Sequence, residues 1–126
     1  MVLAKNLDVF NKDYDFVDSI ITDIRWDLNM LDLLISIDYF WNTQGKTIEY
    51  VLRFIRCQEA AFKLPKACDF VPRSEWEGYV YSWYTIVNYE AIYEKNLYKI
   101  SIKTIDDNPR WLTVLCDEVL LEEKSK

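Results

Sequence analysis

The sequence contains no histidine, and cysteine and glycine are scarce. Without histidine the chain has no Ser-His or Cys-His nucleophile pair, no imidazole ligand for zinc and no imidazole base. The three cysteines, Cys57, Cys68 and Cys116, form no Cys-x-x-Cys pair, which argues against a zinc knuckle or a thioredoxin-type redox site. With only two glycines, Gly45 and Gly78, no glycine-rich phosphate loop is recognisable. We therefore expect a protein that is not an enzyme and that holds no cofactor or metal.

The sequence also lacks long apolar runs and an excess of basic over acidic residues. No stretch approaches the roughly 18 apolar residues that a membrane span needs, so we expect no membrane insertion. The first residues lack the basic start and apolar run of a secretory signal, and the cysteine spacing is typical of reduced thiols, so a cytoplasmic protein is predicted. Lys and Arg number 15 against 21 Asp and Glu, a net charge of −6. This acidic balance argues against nucleic-acid binding, which needs a basic surface.

Alternation of apolar and polar residues is the strongest pattern that the sequence does contain. The chain has 126 residues, of which 51% are hydrophobic, and this predicts one domain over residues 1–126 with its own core. Residues 19–26 and 31–41 alternate on either side of a short turn and are typical of a β-hairpin. The first run predicts a face of Ile20, Thr22, Ile24 and Trp26, opposite Ile21, Asp23 and Arg25. The second run predicts a face of Leu31, Leu33, Ile35, Ile37 and Tyr39.

Later segments extend the same pattern. Residues 47–57 predict a third strand, covered on both sides or central in its sheet, and a helix over residues 47–62 is the alternative. Residues 60–63 predict a short strand or a loop. Residues 79–89, continued after a bend at 91–93, and residues 97–105, 111–116 and 118–122 predict further strands, with a tight connection at 94–96. Ser74 caps one predicted helical turn.

The predicted fold class is mainly β, with α+β as the alternative. Several strands joined by short polar turns indicate an antiparallel meander sheet, which curls or packs as a sandwich with one or two short helices. Residues 1–17 are expected to form an N-terminal helix or arm. The charged residues 122–126 are expected to form a frayed tail.

Aspartates are concentrated near the start of the chain, at Asp13, Asp15, Asp18, Asp23, Asp27, Asp32 and Asp38. Paired carboxylates can act as general acid and base or bind a hard cation, but the spacing lacks the Asp-x-Asp-x-Asp-Gly pattern of a calcium loop. A solvated sheet face explains the cluster without any site, and a protein-recognition surface is the functional alternative. The candidate partner-binding carboxylates are Asp18, Asp23, Asp27, Asp32 and Asp38.

Aromatic residues form a second cluster, at Trp76, Tyr79, Tyr81, Trp83, Tyr84, Tyr89, Tyr93 and Tyr98. Packing inside a small sheet explains most of them, and interface anchors or a small-molecule pocket are the alternatives. Tryptophan combines a large apolar area with a polar tip, which suits an interface. We therefore select Trp41 and Trp76 as candidate anchors for a partner.

Three segments resemble small bacterial immunity proteins, which are encoded beside polymorphic toxins. They are Tyr14-Asp15-Phe16-Val17-Asp18-Ser19-Ile20-Ile21 followed by Trp26-Asp27, the strand Leu33-Leu34-Ile35-Ser36-Ile37-Asp38-Tyr39, and the closing Trp111-Leu112-Thr113-Val114-Leu115-Cys116-Asp117-Glu118-Val119. The shared pattern is an Asp-Ser dipeptide before an apolar strand, followed by a strand of alternating Leu and Ile. Val17 stands where a histidine is usual. The resemblance implies a non-enzymatic protein that binds and neutralises a cognate toxin without a cofactor.

Three functional hypotheses follow from these patterns. In the first, an acidic face with aromatic anchors covers the basic active-site cleft of a cognate toxin. In the second, a small-molecule-binding or hydrolytic domain uses an aromatic-lined pocket and a carboxylate. In the third, the chain is an oligomerising subunit with a large exposed apolar patch.

Overall fold

A computed structural model of the chain describes residues 2–4, 15–27, 30–39, 48–62, 71–78, 84–104 and 112–123. The described part contains nine β-strands and one 3-10 helix, the latter at Arg73–Gly78. In chain order the strands are β1 (Val2–Ala4), β2 (Ile20–Trp26), β3 (Leu33–Tyr39), β4 (Ile48–Ile55), β5 (Glu59–Phe62), β6 (Ile86–Glu94), β7 (Leu97–Thr104), β8 (Leu112–Cys116) and β9 (Glu118–Glu123). No helix in these ranges is long and apolar enough to cross a membrane.

The strands form two antiparallel sheets, which confirms the predicted mainly β fold class. The five-stranded sheet has the order β1-β9-β4-β3-β2, and the four-stranded sheet has the order β5-β8-β7-β6. Each sheet contains one meander of consecutive strands, β2-β3-β4 in the first and β6-β7-β8 in the second. The prediction of a strand at residues 47–57 is also confirmed, because β4 lies between β3 and β9 as an inner strand.

The two sheets meet at a corner where the chain runs on from one sheet into the other twice, from β4 into β5 and from β8 into β9. Strand β4 continues into β5 through Arg56, whose backbone is left-handed with φ 49°. Strand β8 continues into β9 through Asp117, whose N–H donates to the carbonyl of Ile55 at 2.9 Å. The N–H of Gln58 donates to the carbonyl of Leu115 at 2.8 Å. Hydrogen bonding is therefore maintained on both sides of the corner.

A second junction joins β2 to the start of β6. The N–H of Ile86 donates to the carbonyl of Ser19 at 2.8 Å, and the N–H of Ile21 donates to the carbonyl of Tyr84 at 2.9 Å. Beyond this short junction, no further pairing joins the two strands among the residues that the structure describes. The junction fixes one end of β6 and leaves the rest of its outer edge without a neighbouring strand among the described residues.

The core lies between the facing sides of the two sheets and is filled by side chains from both. Alternation places apolar residues of each strand on this side, since neighbouring residues of a strand point to opposite faces. The five-stranded sheet contributes Leu33, Ile35, Ile37, Tyr39, Leu52, Phe54, Val119 and Leu121. The four-stranded sheet contributes Ile86, Ile100, Ile102, Leu112, Val114 and Cys116.

The five-stranded sheet is also covered on its second face, which we call its outer face. Leu34, Ser36 and Val51 point there because they alternate with the core residues of β3 and β4, and all three are buried. Ser36 is only 2% exposed. The expectation that residues 47–57 are covered on both sides is therefore met at the centre of this sheet.

Strand β2 departs from its predicted alternation because of a β-bulge. The register with β3 shifts between Ile21 and Asp23, so Thr22 is an extra residue in this strand. A bulge reverses the side on which the following residues point. Ile21, Ile24 and Trp26 consequently share the core side, opposite Ile20, Asp23 and Arg25. The predicted face of Ile20 and Thr22 with Ile24 and Trp26 is wrong for its first half.

The ends of the chain and the helical turn also differ from expectation. Of the expected N-terminal helix or arm at residues 1–17, residues 2–4 form strand β1, which pairs with β9, and residues 5–14 lie outside the described residues. Glu122 and Glu123 are paired in β9, so the tail expected to fray from residue 122 is held in the sheet at its first two residues. The 3-10 helix begins at Arg73, which places Ser74 inside the turn and not at its cap.

Candidate functional site

Two of the predicted partner-binding carboxylates hold the turn between β2 and β3. Oδ1 of Asp27 accepts hydrogen bonds from the N–H groups of Leu31 at 3.1 Å and Asp32 at 3.4 Å. Asp32 accepts a further bond on Oδ1 from the N–H of Arg56 at 3.1 Å. Such side-chain caps satisfy backbone donors that the turn leaves unpaired. Asp27 and Asp32 therefore have a structural task within the chain.

Arg53 forms ion pairs with two carboxylates on the outer face of the five-stranded sheet. Its Nη1 lies 3.1 Å from Oδ2 of Asp32, and its Nε lies 2.9 Å from Oε1 of Glu122. Burial by itself lowers the pKa of this guanidinium, but the hydrogen bonds and charges of Asp32 and Glu122 outweigh that effect and raise it. A guanidinium held by two carboxylates is a rigid arrangement that ties together the β2–β3 turn, β4 and β9.

Asp38 sits directly across from Glu49 on the same outer face, in neighbouring strands β3 and β4. Partial burial raises the pKa of Asp38 above its ordinary value of 3.8, and the negative charge of Glu49 adds to the increase. Like charges at opposing positions of a sheet repel each other. Repulsion between Asp38 and Glu49 therefore makes an unfavourable contribution to the stability of the fold.

Asp18 and Asp23 are the two predicted carboxylates that remain exposed. Asp18 lies in the turn before β2, where its φ is 72°, a left-handed conformation that aspartate tolerates better than most residues. Its N–H donates to the carbonyl of Ile86 at 2.8 Å, which places it beside the start of β6. Asp23 lies 3.9 Å from Nε of Arg25, and both side chains are more than half exposed. Such an exposed pair has little effect on stability.

The two candidate tryptophans have different outcomes. Trp76 is half-buried in the 3-10 helix, where its Nε1 donates to the carbonyl of Val71 at 2.8 Å. The guanidinium of Arg73 lies 5.7 Å from the centre of the Trp76 ring, within cation–π range. Trp41 lies outside the described residues. The described contacts of Trp76 are therefore made within its own segment, with Val71 and Arg73.

An exposed strand edge is the strongest candidate surface, and of the two residue clusters found in the sequence only the aromatic one includes residues of it, Tyr89 and Tyr93. The β6–β7 connection has two residues, Lys95 and Asn96, with left-handed φ values of 53° and 66°. In a hairpin of this kind the flanking pair, Glu94 and Leu97, is hydrogen-bonded. Every second residue of β6 before Glu94 then bonds to β7. The alternate residues, Tyr89 among them, point their N–H and carbonyl groups away from β7.

Local hydrogen bonding supports this assignment. The N–H of Tyr89 donates to Oδ1 of Asn88 at 2.9 Å, and not to a strand. Ala91 and Tyr93 have the same orientation in the strand as Tyr89. We call residues 87–94 the β6 edge. Ala91 and Tyr93 offer two pairs of outward backbone groups on it, with no hydrogen bond to any described strand.

Several apolar side chains of the β6 edge are exposed to solvent. Ile92 is 50% exposed and Tyr93 is 59% exposed, and Val87 is exposed as well. The ring centre of Tyr93 lies 4.8 Å from that of Tyr98 on β7, with the two planes tilted by 53°, so one side of the Tyr93 ring is in contact with β7. The exposed carboxylates of Glu90 and Glu94 lie on the opposite face of β6 from Tyr93. The edge thus combines backbone donors and acceptors, apolar area and negative charge.

A groove crosses the outer face of the four-stranded sheet next to this edge. Its volume is about 380 Å³, which is within the range of small-molecule sites. Ala61, Leu97 and Leu115 line it together with charged side chains that include Lys95 and Lys99, and none of its lining residues is aromatic. This groove is therefore different from the aromatic-lined pocket of the second hypothesis.

The described thiols and the buried phenol are poor candidates for reaction chemistry. Burial raises the pKa of Cys116 to about 12, and nearby Cys57 and Asp117 contribute to the increase. Burial also raises the pKa of Cys57, whose Sγ donates to the carbonyl of Glu59 at 3.5 Å. A thiol becomes a nucleophile only as the thiolate, so both are held in the unreactive form. Cys68 lies outside the described ranges.

The hydroxyl of Tyr89 is buried and has no hydrogen-bond partner within the part of the chain that the structure describes. Burial raises its pKa well above the ordinary value, and the nearby Cys116 thiol contributes. Its ring centre lies 5.1 Å from that of Phe16, so the phenol serves the core.

Within the same ranges, no group of three or more cysteine, aspartate or glutamate side chains is arranged to hold a metal ion. No family model, no curated protein and no solved structure matches this chain.

Proposed function

We propose that this chain is a non-enzymatic protein-binding module that neutralises a cognate bacterial toxin in the cytoplasm by occluding it. One observation carries the proposal: the β6 edge brings exposed apolar side chains and exposed carboxylates together. Tyr93 and Ile92 supply contact area of the kind that anchors interfaces, and Glu90 and Glu94 supply negative charge. The resemblance of the sequence to small immunity proteins supports the same function.

Asp18 extends the acidic character of this surface. It is exposed, and its N–H bond to Ile86 places it at the residue before the β6 edge begins. Of the carboxylates selected from the sequence, it is the one that the backbone joins directly to β6. The proposed recognition surface is therefore the β6 edge together with Asp18, and we call it the acidic edge.

Charge and apolar area have separate roles in the proposed mechanism. A net charge of −6 with exposed carboxylates attracts a toxin whose active-site cleft is basic, and such attraction mainly increases the association rate. Desolvation of Ile92 and Tyr93 then slows dissociation. The bound chain blocks the cleft and performs no chemistry itself.

The test uses the toxin domain encoded in the adjacent open reading frame. Both proteins are purified, and their binding is measured by surface plasmon resonance at low and physiological salt, together with recovery of the activity that the toxin inhibits. We expect association at or below micromolar concentration and an association rate that falls as salt increases. No association at micromolar concentrations would remove the proposed function.

A charge-reversal pair locates the surface. The double variant Glu90→Lys with Glu94→Lys is expected to lower the association rate at least tenfold and to flatten its salt dependence. The matched control is Glu75→Lys with Glu118→Lys, which makes the same change in net charge at exposed positions outside β6. Equal loss in both double variants would mean that only the total charge matters and that the acidic edge is not the binding surface.

A further inference from the structure

The β6 edge has the geometry of a sheet that one more strand can extend. Ala91 and Tyr93 point their N–H and carbonyl groups away from β7, and their neighbours Glu90 and Ile92 are exposed. A strand edge with free backbone groups is a template for another strand. Asn88 caps the Tyr89 N–H at 2.9 Å, so the open part of the template is centred on Ala91 and Tyr93.

The two faces of β6 specify what the side chains of an added strand must be. On the outer face it would lie beside Glu90, Ile92 and Glu94. Neither glutamate makes an ion pair with a described lysine or arginine, although Lys99 lies on the next strand. On the core side it would lie beside Ala91 and Tyr93. Because side chains alternate along a strand, basic and apolar residues must alternate in the partner.

A second copy of this chain fits the edge poorly. In an antiparallel pair, opposing residues share a face, so self-pairing through β6 would bring Glu90 and Glu94 of both copies onto one face. A register centred on Glu90 sets this residue against itself, and a register centred on Ile92 sets Glu90 against Glu94. Registers centred on Ala91 or Tyr93 set one glutamate of each copy against Ile92, so that the glutamates of both copies share a face and none of them meets a basic residue. Like charges that oppose each other destabilise a sheet. A basic partner strand removes this repulsion.

We propose that the toxin carries an extended segment of alternating Lys or Arg and apolar residues, which adds to β6 as a fifth strand of the four-stranded sheet. This inference rests on the proposed function and names the segment through which the partner binds. Main-chain hydrogen bonds to Ala91 and Tyr93 hold the segment, and the alternating side chains select it.

The first experiment uses a peptide of eight residues with blocked termini, in which Lys and Val alternate. It is added to the full-length, ¹⁵N-labelled protein, and amide shifts and hydrogen exchange are followed by NMR. The amides of Ala91 and Tyr93 are expected to show the largest shifts and at least tenfold slower exchange at saturation. The largest changes at any site away from β6 would overturn the inference.

Three control peptides separate backbone pairing from simple charge attraction. A peptide with four Lys followed by four Val has the same composition and is expected to bind at least tenfold more weakly. Methylation of every second backbone nitrogen, on the side that faces β6, is expected to abolish binding. Alternating Glu and Val is expected to give no binding. If the peptide of four Lys and four Val, or the methylated peptide, binds as tightly as the alternating peptide, no strand is added.

A protein variant gives the same test from the other side. Ala91→Pro removes the outward N–H but no β6–β7 hydrogen bond, whereas Ala91→Ser keeps the N–H. Loss of peptide binding only in Ala91→Pro supports strand addition, and unchanged binding contradicts it. If Ala91→Pro does not fold, the methylated peptide decides the question on the unmodified protein.

Two outcomes distinguish this inference from the function on which it rests. If the toxin binds while the amides of Ala91 and Tyr93 still exchange freely, the protein-binding function stands and strand addition is wrong. If these amides become protected as the protein is concentrated without peptide, a second copy occupies the edge and the inference is overturned. Absence of toxin binding removes the proposed function whatever the peptide does.

Discussion

The two sheets differ in how their outer faces and edges are treated. In the five-stranded sheet, Leu34 and Val51 are buried on the side opposite the core, and Arg53 ties two carboxylates across the surface. In the four-stranded sheet, the last strand, β6, is exposed along most of its length. Buried and ion-paired side chains thus cover the outer face of the first sheet, whereas exposed apolar and acidic side chains lie along the β6 edge of the second.

This contrast shows that a carboxylate on a sheet is not by itself a recognition group. Asp32 is engaged by Arg53 and by the N–H of Arg56, so its negative charge is used inside the molecule. Glu90 has no such partner among the described residues and lies next to apolar area. What surrounds a charge decides whether it is free to attract a partner.

The largest expected difference between the sheets is in the stability that the protein loses when a side chain is truncated. Phe54→Ala removes a fully buried ring from the central strand β4 and is expected to lower the free energy of unfolding by about 3–5 kcal/mol. Ile92→Ala on the β6 edge is the control, with an expected change within about 0.5 kcal/mol, because Ile92 is half exposed. Urea unfolding followed by circular dichroism measures both. Similar losses in the two variants would abolish the contrast.

Removal of the cation that bridges two carboxylates is next in size. Arg53→Ala leaves Asp32 and Glu122 close together and partly buried, and is expected to cost about 1–3 kcal/mol. Arg25→Ala, in the exposed pair with Asp23, is the control and is expected to cost about 0–0.5 kcal/mol. The same unfolding measurement applies. A loss for Arg53→Ala no larger than for Arg25→Ala would show that the bridge is not stabilising.

The faces and turns with a local cause could be predicted from the sequence. Alternation predicts that Leu33, Ile35 and Ile37 share the core side of β3, because the period of two is a property of any single strand. The tight connection at 94–96 was predicted from its polar residues, and the left-handed φ values of Lys95 and Asn96 show that it is a turn.

Features that depend on neighbours in space could not be predicted in the same way. The bulge at Thr22 arises from the pairing of β2 with β3, so it reverses the predicted face of Ile20. Whether β6 is an edge or an inner strand depends on the strand order, and no local pattern contains that order. The candidate aspartates were selected because many of them occur close together in the sequence. Their hydrogen-bond partners were not visible there, and Asp27 proved to cap a turn by accepting bonds from the N–H groups of Leu31 and Asp32.

A smaller effect of pH is expected at Asp38. Its raised pKa means that the folded protein binds this proton more tightly than the unfolded chain does. The unfavourable contribution is therefore present at neutral pH and is removed as pH falls through the folded pKa toward 3.8. Asp38→Asn is expected to stabilise the protein at pH 7 by less than about 1 kcal/mol.

The pH dependence of this gain is the decisive measurement. Unfolding of wild type and Asp38→Asn is compared at pH 7 and near pH 4, where the gain should be smaller because the folded carboxyl is partly protonated. Asp23→Asn is the control, because Asp23 is exposed and has no opposing carboxylate in the described pairing. A gain that is the same at both pH values would contradict the assignment to repulsion by Glu49 and burial.

The smallest effect concerns the turn at the end of the β6 edge. Lys95 has a φ of 53°, a conformation that asparagine adopts at lower cost than lysine. Lys95→Asn is expected to raise the free energy of unfolding by about 0.5 kcal/mol. Glu94→Asn changes the neighbouring residue, which lies in the strand, and should give no gain. Thermal unfolding of the two variants tests the difference, and a loss of stability in Lys95→Asn contradicts it.

The corner at Arg56 and Asp117 has a mechanical consequence. Because β4 runs into β5 and β8 runs into β9, tension applied to one sheet passes through covalent bonds into the other. Separation of the sheets at this corner has to break the hydrogen bonds from Asp117 to Ile55 and from Gln58 to Leu115, so we expect local unfolding of one sheet there to disturb the other. A partner bound along the β6 edge is accordingly expected to slow local unfolding of the five-stranded sheet as well, and to lower the rate of proteolysis in both sheets.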